Sequence, residues 1–263
     1  MDTRQINLRE AFDRHALTYD ERFSSLKTAR AMRQEIWQVA EGLFPPGSRL
    51  LDLGCGTGED AIHFARNGVH VTAIDIAPGM IAQLLMKTDA AGLNALVDAG
   101  IDDIETFEPE AQAFDGLLSN FGAINCVKSI STLRGLAARA LKPGAALVIV
   151  PMGRLYPLET AVFLLKGNPR RAFVRLKRQP VVGLEGIPVS CWYHSPRNLR
   201  RALGAEFSLQ QLRGLRSFAP SPSLEHIGRF LPLGLIRALD GFATSFRPTA
   251  ALADHYLTVW RYR

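Results

Sequence analysis

The chain has 263 residues, 47% of them hydrophobic, and a formal net charge of +6 at pH 7. No apolar run approaches the roughly 20 residues that a membrane-spanning helix needs, which excludes a helical integral membrane protein. Three cysteines without metal-ligand spacing predict no metal site and favour a reducing, cytoplasmic location. The size and composition suit a globular protein with one large domain or slightly more.

The charge is distributed unevenly along the chain. Residues 1–150 contain 14 Lys and Arg and 19 Asp and Glu, whereas residues 151–263 contain 17 and 6. The two parts are therefore expected to have different surfaces and different roles. A basic region of this kind is compatible with nucleic acid, acidic lipid head groups, an acidic carrier protein or an anionic substrate.

The first two thirds of the chain predict an α/β fold. Helical periodicity covers residues 5–42, with a second periodic stretch over 26–43, and Pro45-Pro46-Gly47 ends it. Strands are then predicted at 49–53, 69–74, 95–98, 114–119 and 145–151, and helices at 59–67, 80–91 and 130–141. This alternation predicts a mostly parallel sheet with helices on both faces.

The pattern changes after residue 151. Residues 153–179 are basic and amphipathic, and residues 181–194 alternate around Glu185-Gly186 as in a hairpin. Ser195-Pro196 is a favourable helix start, and the helix is predicted to end at Gly204. Two final strands are predicted at 207–215 and 256–262, with a segment rich in Pro, Leu and Phe between them at 218–252.

A glycine-rich loop follows the first predicted strand. Gly54, Gly56 and Gly58 occupy alternate positions, which allows a tight turn and a close approach of the backbone to a ligand. Asp75 ends the second strand, where a carboxylate can accept hydrogen bonds from both hydroxyls of a ribose. Together these features predict a site for a nucleoside-bearing small molecule.

The details of the loop argue against a dinucleotide. Its third glycine comes one residue earlier than in G-x-G-x-x-G, and Glu59 and Asp60 follow at the start of the helix. Two carboxylates there would repel a pyrophosphate, whereas a sulfonium and an ammonium group suit that place. Asp52, inside the preceding strand, can orient the ammonium group or a water molecule.

At this point the sequence resembles the class I S-adenosylmethionine-dependent methyltransferases of the small-molecule type. LLDLGCGTGED matches their first motif, VTAIDIAPGMI matches the next, and FDGLLSNFGAIN resembles their fourth strand. AGIDDIE is a looser match, because Gly100 stands where an acidic residue is common. The resemblance covers about residues 47–151, and it implies S-adenosylmethionine as the cofactor.

The resemblance also implies a fold and a set of cofactor contacts. The expected fold is a Rossmann-like, seven-stranded, mostly parallel sheet with an antiparallel last strand, helices on both faces and helical cap inserts. Residues 1–46 become a helical lid, 47–151 the cofactor-binding core, 152–195 and 218–252 the substrate cap, and 196–217 and 253–263 the rest of the sheet. The predicted cofactor contacts are Tyr19, Asp52, Gly54, Gly56, Gly58, Asp75, Ile76, Met80, Ile101, Asp102, Asn120 and Phe121.

Transfer to an oxygen or carbon nucleophile can require a base. The candidates are His194 and Tyr193 in the first insert and His255 before the last strand; His15 lies on the predicted lid. For any one histidine the sequence favours a structural or exposed role over catalysis.

The acceptor is less well defined by the sequence. SNFG stands where methyltransferases of nucleic acid bases carry Asn-Pro-Pro-aromatic, so nucleic acid is disfavoured as the acceptor. No acidic pair suits arginine methylation, and no carboxylate triad suits a metal. Cations interleaved with large apolar residues favour a hydrophobic or acyl-type metabolite, or a membrane surface. A helical lid with a solvated basic face is an equally open interpretation of the same pattern. One alternative is a carboxyl O-methyltransferase of the malonyl-carrier-protein type, with an acidic carrier docking at Arg170, Arg171 and Arg175. The other is a cofactor-binding protein without catalysis, acting at a membrane or in an assembly. The oligomeric state stays open.

Overall fold

The computed structural model describes residues 1–217, 220–221, 224 and 247–263. The predicted second insert, 218–252, therefore lies outside the described residues except at 220–221, 224 and 247–252. None of the helices described is long and apolar enough to cross a membrane.

The described part of the chain contains eight α-helices and nine strands. The helices are α1 (Thr3–Tyr19), α2 (Lys27–Ala40), α3 (Glu59–Arg66), α4 (Pro78–Ala90), α5 (Ile130–Ala140), α6 (Pro157–Leu165), α7 (Pro169–Ala172) and α8 (Pro196–Leu203). The strands are β1 (Arg49–Leu53), β2 (His70–Asp75), β3 (Val97–Ile101), β4 (Phe114–Ser119), β5 (Leu141–Ile149), β6 (Val181–Leu184), β7 (Ile187–Ser190), β8 (Phe207–Leu215) and β9 (His255–Tyr262). A π-helical turn at Asp20–Ser24 links α1 to α2.

Seven strands form one sheet in the order β3-β2-β1-β4-β5-β9-β8. The pairs among β1 to β5 are parallel, and β9 runs antiparallel to both β5 and β8. The predicted seven-stranded Rossmann-like sheet with an antiparallel last strand is thus confirmed. Chain order reverses between β1 and β4, which opens a crevice at the carboxyl ends of these strands.

The strands are apolar because both faces of the sheet are covered. One core cluster joins β1, β2 and β5 to α2 and α3, and a second joins the opposite face to α5 and α8. Packing is close enough that a Cβ on Gly116 would lie 2.2 Å from the ring of Phe44. The sheet is therefore a rigid base for the loops at its carboxyl edge.

Strand β5 begins earlier than predicted. Lys142-Pro143-Gly144 is a turn signal, yet the strand starts at Leu141 directly after α5. Leu141 pairs with Phe114, and after an irregularity the register resumes with Gly116 opposite Ala146. Tertiary pairing of Leu141 thus overrides the local turn preference.

Helix α1 and the β6–β7 hairpin pack together beside the carboxyl edge of the sheet. Leu8 and Ala11 of α1 form a small buried cluster with Ile187 and Val189 of the hairpin. The Asp13 carboxylate accepts a hydrogen bond of 2.6 Å from the Gly79 N–H, so α1 caps the amino end of α4. The division into lid, core and cap stays a prediction, but α1 occupies the position that a lid requires.

Candidate functional site

A cavity of about 860 Å³, partly open to solvent, lies at the carboxyl edge of β1, β2 and β4. The loops after β1, β2, β3 and β4 form its floor, and Leu8, Phe12 and Tyr19 on α1 form its roof. The first insert contributes no residue to this lining among the described residues.

The glycine loop forms one wall and depends on its glycines. Gly54, Gly56 and Gly58 have φ values of +72°, +55° and +86°, in the region that favours glycine. A Cβ on Gly54 would lie 2.3 Å from the Cβ of Ala123. Gly54 and Gly56 line the cavity, whereas Gly58 begins α3 and packs against Leu84. A Cβ on Gly54 or Gly58 would clash with a neighbour, whereas at Gly56 only the positive φ favours glycine.

Asp75 lies in the cavity wall at the end of β2. Its two carboxylate oxygens accept hydrogen bonds from the Gly56 N–H at 3.0 Å and the Ala77 N–H at 2.9 Å. Burial raises the pKa of Asp75, and these backbone donors oppose the rise. A carboxylate offers about four acceptor positions, so two remain available for a vicinal diol such as a ribose.

A buried charge cluster lies beneath the glycine loop. The Asp60 carboxylate accepts hydrogen bonds from Trp37 Nε1 at 2.7 Å and from Asn120 Nδ2 at 2.9 Å, and it forms an ion pair with Arg33 at 3.0 Å. Asp52 is buried beside this cluster, and its Oδ2 has no hydrogen-bond partner. Burial, followed by the charge of Asp60, raises the pKa of Asp52. We call Asp52, Asp60, Asp75 and Arg33 the cavity cluster.

The charges of the cavity suit a ligand that is largely cationic. Five carboxylates line it, and Arg33 is its one cation among the described residues; the carboxylates are Glu59, Asp60, Asp75, Asp102 and Asp103. S-adenosylmethionine carries a sulfonium, an ammonium, one carboxylate and a ribose. The acidic lining, the guanidinium of Arg33 and the acceptor positions of Asp75 therefore fit this cofactor.

Phe121 is the strained residue of the cavity. Its φ is +45°, which bulky side chains rarely adopt, and its N–H donates to the Asn120 side chain at 2.7 Å. The guanidinium of Arg33 lies 4.7 Å from the ring centre. The ring also makes edge contacts with Phe23 at 5.2 Å and with His255 at 5.7 Å. This backbone conformation directs the ring of Phe121 into the wall between the cavity and β9.

The predicted cofactor residues lie at different distances from the cavity. Nine of the twelve line it, namely Tyr19, Gly54, Gly56, Asp75, Ile76, Met80, Asp102, Asn120 and Phe121. Asp52 lies beneath the loop, Gly58 faces α4, and the side chain of Ile101 is 51% exposed outside the lining. Burial raises the pKa of Tyr19, so its hydroxyl stays protonated as a donor. Their contacts with a cofactor stay a prediction.

The three candidate bases do not line the cavity. Burial lowers the pKa of His194 to about 4, so this histidine is neutral, and its Nε2 has no partner. The guanidinium of Arg175 lies 5.2 Å from the ring centre of Tyr193, and burial raises the pKa of the Tyr193 hydroxyl. His255 contacts the cavity-lining Phe121, and its Nδ1 is 2.8 Å from the Asp254 carboxylate. His15 of α1 is instead paired with Glu185 at the tip of the hairpin.

Arg175 differs from the docking residue that the sequence predicts. It is buried, and it pairs with Glu159 at 2.5 Å and with Asp254 at 2.6 Å. Its Nη1 also donates to two backbone carbonyls. Arg175 is therefore an internal link between the first insert and β9, and the prediction that it docks a partner is wrong. We call Arg175, Glu159, Asp254 and His255 the insert cluster.

Sequence reasoning missed Arg33 and the full role of Asp60. Arg33 lies on the buried face of α2, beside Met32 and one turn from Ile36, and this position on the apolar stripe is the signal that could have found it. Asp60 was recognised for its charge, whereas its three partners come from α2 and from the end of β4. Within the part of the chain that is described, no three His, Cys, Asp or Glu side chains are grouped so as to hold a metal ion.

Comparison with known proteins supports the cofactor and the fold. Residues 50–144 match a family model described as a methyltransferase domain. A ubiquinone biosynthesis O-methyltransferase from Xanthomonas axonopodis pv. citri is 30% identical over 122 residues, covering 44% of this chain and 48% of its own. A demethylmenaquinone methyltransferase from Mycobacterium sp. (strain KMS) is 29% identical over 131 residues, covering 48% and 53%. The matches thus span about half the length of these relatives.

A solved structure extends the likeness of the fold to the whole chain. The geranyl diphosphate C-methyltransferase of Streptomyces coelicolor A3(2), crystallised with Mg²⁺, geranyl diphosphate and S-adenosyl-L-homocysteine, superposes with a TM-score of 0.65. The superposition covers 100% of this chain and 98% of that one at 15% sequence identity, so it speaks for the fold alone. Residues 50–144 thus match a methyltransferase domain, and the motifs, the sheet order and the acidic cavity support its assignment to the class I S-adenosylmethionine-dependent type.

Proposed function

We propose that this protein transfers a methyl group from S-adenosylmethionine to an oxygen or carbon atom of a hydrophobic small molecule, such as a quinone-type or acyl-type metabolite. The observation that carries the proposal is the cavity, which joins an acidic floor to an apolar roof formed by Leu8 and Phe12. The relatives named for ubiquinone biosynthesis and for demethylmenaquinone support a quinone-type acceptor.

Different residues of the cavity bind different groups of the cofactor. Asp75 holds the ribose hydroxyls, Arg33 pairs with the carboxylate, and the remaining acidic groups neutralise the cationic part of the cofactor. S-adenosylmethionine supplies a methyl group that its sulfonium already activates, so the protein's task is to orient the acceptor and exclude water. The roof of α1 serves that exclusion because its apolar side chains close over the polar floor.

We assign the base to His255 rather than to His194 or Tyr193. With its Nδ1–H donated to Asp254, His255 keeps Nε2 free to accept a proton from the acceptor. Its contact with Phe121 brings it within one aromatic ring of the cavity. His194 touches no lining residue among the contacts described, and Tyr193 packs against the apolar cluster that contains Leu8 of the roof.

Isothermal titration with S-adenosylmethionine tests the cofactor, and transfer of a labelled methyl group tests the activity. The acceptor panel contains a hydroxylated benzoquinone with a prenyl tail, a simple phenol and a malonyl thioester on an acidic carrier protein. Transfer to the first two supports the proposal, and transfer to the carrier-linked thioester alone supports the carboxyl O-methyltransferase. Absence of cofactor binding contradicts both, and binding without transfer to any acceptor favours the cofactor-binding protein without catalysis.

His255→Asn tests the base. We expect turnover to fall about 100-fold or more, the usual contribution of a positioned base, while the affinity for S-adenosylmethionine is unchanged. His70→Asn is the matched control, because His70 is exposed at the amino end of β2, at the opposite edge of the sheet. Full turnover in His255→Asn together with a loss in His194→Asn would move the base to His194.

A further inference from the structure

Helix α6 is apolar, yet it buries no side chain. Its nine residues read PLETAVFLL, and none of them is buried. Leu165 is 90% exposed and Leu164 is 45% exposed. A helix of this composition is normally covered on at least one face, and an exposed apolar cluster usually marks an interaction site.

The exposed side chains belong to one compact unit formed by α6, α7 and the turn after them. Thr160 Oγ1 donates to the Ala172 carbonyl at 3.3 Å, and the guanidinium of Arg171 lies 4.5 Å from the ring centre of Phe163. Beneath them, Arg175 links the unit to β9. The unit is therefore fixed on the core, and its outer residues present a formed surface.

This surface combines apolar and basic side chains. The exposed apolar residues are Leu155, Leu164, Leu165, Phe173, Leu176 and Val181, and the exposed basic ones are Arg154, Lys166, Arg170, Arg171, Lys177 and Arg178. Glu159 is the one acidic residue between positions 152 and 184, and Arg175 neutralises it. Within the described ranges no ion pair neutralises the six exposed cations, which leaves their charge for a partner. We call these twelve residues the basic apolar surface.

We propose that the basic apolar surface docks on an anionic lipid membrane. A lipid surface meets both requirements, because phosphate head groups pair with the cations while the interface beneath them receives leucine and phenylalanine side chains. A second copy presenting the same surface would bring cation against cation. A soluble acidic protein would satisfy the charges but would have to bury Leu165 in an apolar pocket of its own. The inference does not depend on the proposed methyl transfer, since docking is measured without cofactor or acceptor.

Flotation of the full chain with vesicles tests the docking. We expect binding to vesicles that contain phosphatidylglycerol, weak binding to pure phosphatidylcholine, and loss of binding at high salt, which screens the charges. Replacing Leu164 and Leu165 together by Ser, or Arg170 and Arg171 together by Glu, should weaken binding about tenfold or more. Both changes affect exposed residues, so the thermal midpoint should stay near that of the unchanged protein.

Leu17→Ser with Arg30→Glu is the matched control. Leu17 is 83% exposed on α1 and Arg30 is exposed on α2, both outside the basic apolar surface. This variant should bind anionic vesicles as the unchanged protein does. Equal loss in the control and in the surface variants would overturn the proposal, as would failure to bind anionic vesicles at all. Light scattering that shows a dimer abolished by the leucine changes would instead assign the surface to a second copy.

Discussion

The cavity cluster and the insert cluster are both buried groups of charges, but they are balanced differently. The cavity cluster has three carboxylates and one cation, Arg33, which pairs with Asp60, and burial raises the pKa of Asp52 and of Asp75. In the insert cluster Arg175 lies between Glu159 and Asp254. Burial alone would raise the pKa of Asp254, but the adjoining His255 and Arg175 lower it to about 2.

The difference separates a binding site from a structural link. A buried cluster with excess negative charge gains from a cationic ligand, because the ligand supplies the charge that the protein lacks. A cluster that is already neutralised gains nothing from a ligand and instead fixes one segment on another. This contrast predicts which substitutions affect stability and which affect binding.

The largest expected effect is on stability, in Arg175→Met. This change leaves the buried Asp254 and the half-buried Glu159 without their cation, so the free energy of unfolding should fall by about 3–5 kcal/mol. Urea unfolding measures it. Arg170→Met, in the same insert but exposed, should change stability by less than about 0.5 kcal/mol. Similar small effects for both would mean that Arg175 is solvated as its neighbours are.

The next effect is on binding, in Asp75→Ala. Removing a charged acceptor should weaken S-adenosylmethionine binding by about 1.5–3 kcal/mol, or roughly 10- to 150-fold in Kd. Titration calorimetry measures it, and Asp98→Ala, exposed on β3, should leave the affinity unchanged. An unaltered affinity in Asp75→Ala would place the ribose elsewhere in the cavity.

The smallest effect is a pair of opposite pH dependences. In the folded protein the pKa of Asp254 is lowered to about 2. Asp254 therefore contributes roughly 2 kcal/mol to the free energy of unfolding above about pH 4, and this contribution is lost as the pH falls towards 2. In the folded protein the pKa of Asp52 is raised, so Asp52 lowers the free energy of unfolding at neutral pH, and this loss disappears as the pH falls.

Asp254→Asn should therefore destabilise the protein at pH 7 by an amount that shrinks below pH 4. Asp52→Asn should stabilise it at pH 7 and lose that gain on acidification. Urea midpoints at several pH values report both. If the stability change caused by each substitution varied with pH in the same direction, the two clusters would have the same balance of charge.

The sequence predicts the fold well where local chemistry and tertiary structure agree. Five apolar strands between helices specify a parallel sheet, and the predicted bounds of β1, β4 and β8 are those of the structure. The start of β5 could not be predicted, because Lys142-Pro143-Gly144 has a turn signal that only the pairing of Leu141 with Phe114 overrides.

The site is predictable to the extent that its residues need special backbone conformations. The alternate glycines are recognisable because their φ values exclude other residues. Arg175 could not be told from the exposed arginines around it, and the partners of both buried arginines lie far along the chain: Asp60 for Arg33 and Asp254 for Arg175. Burial of a cation is set by such distant carboxylates, and sequence periodicity does not report them.

The construction of the cavity limits how the domain can be transplanted. Its floor lies within residues 50–144, but its roof, Leu8 and Phe12, and its one lining cation among the described residues, Arg33, precede that stretch. Strands β8 and β9 follow it and complete the sheet. A fragment cut to the matched residues would carry the glycine loop without its counter-charge or its cover. For chimaeric enzymes, the exchangeable unit is therefore the chain from α1 to β9.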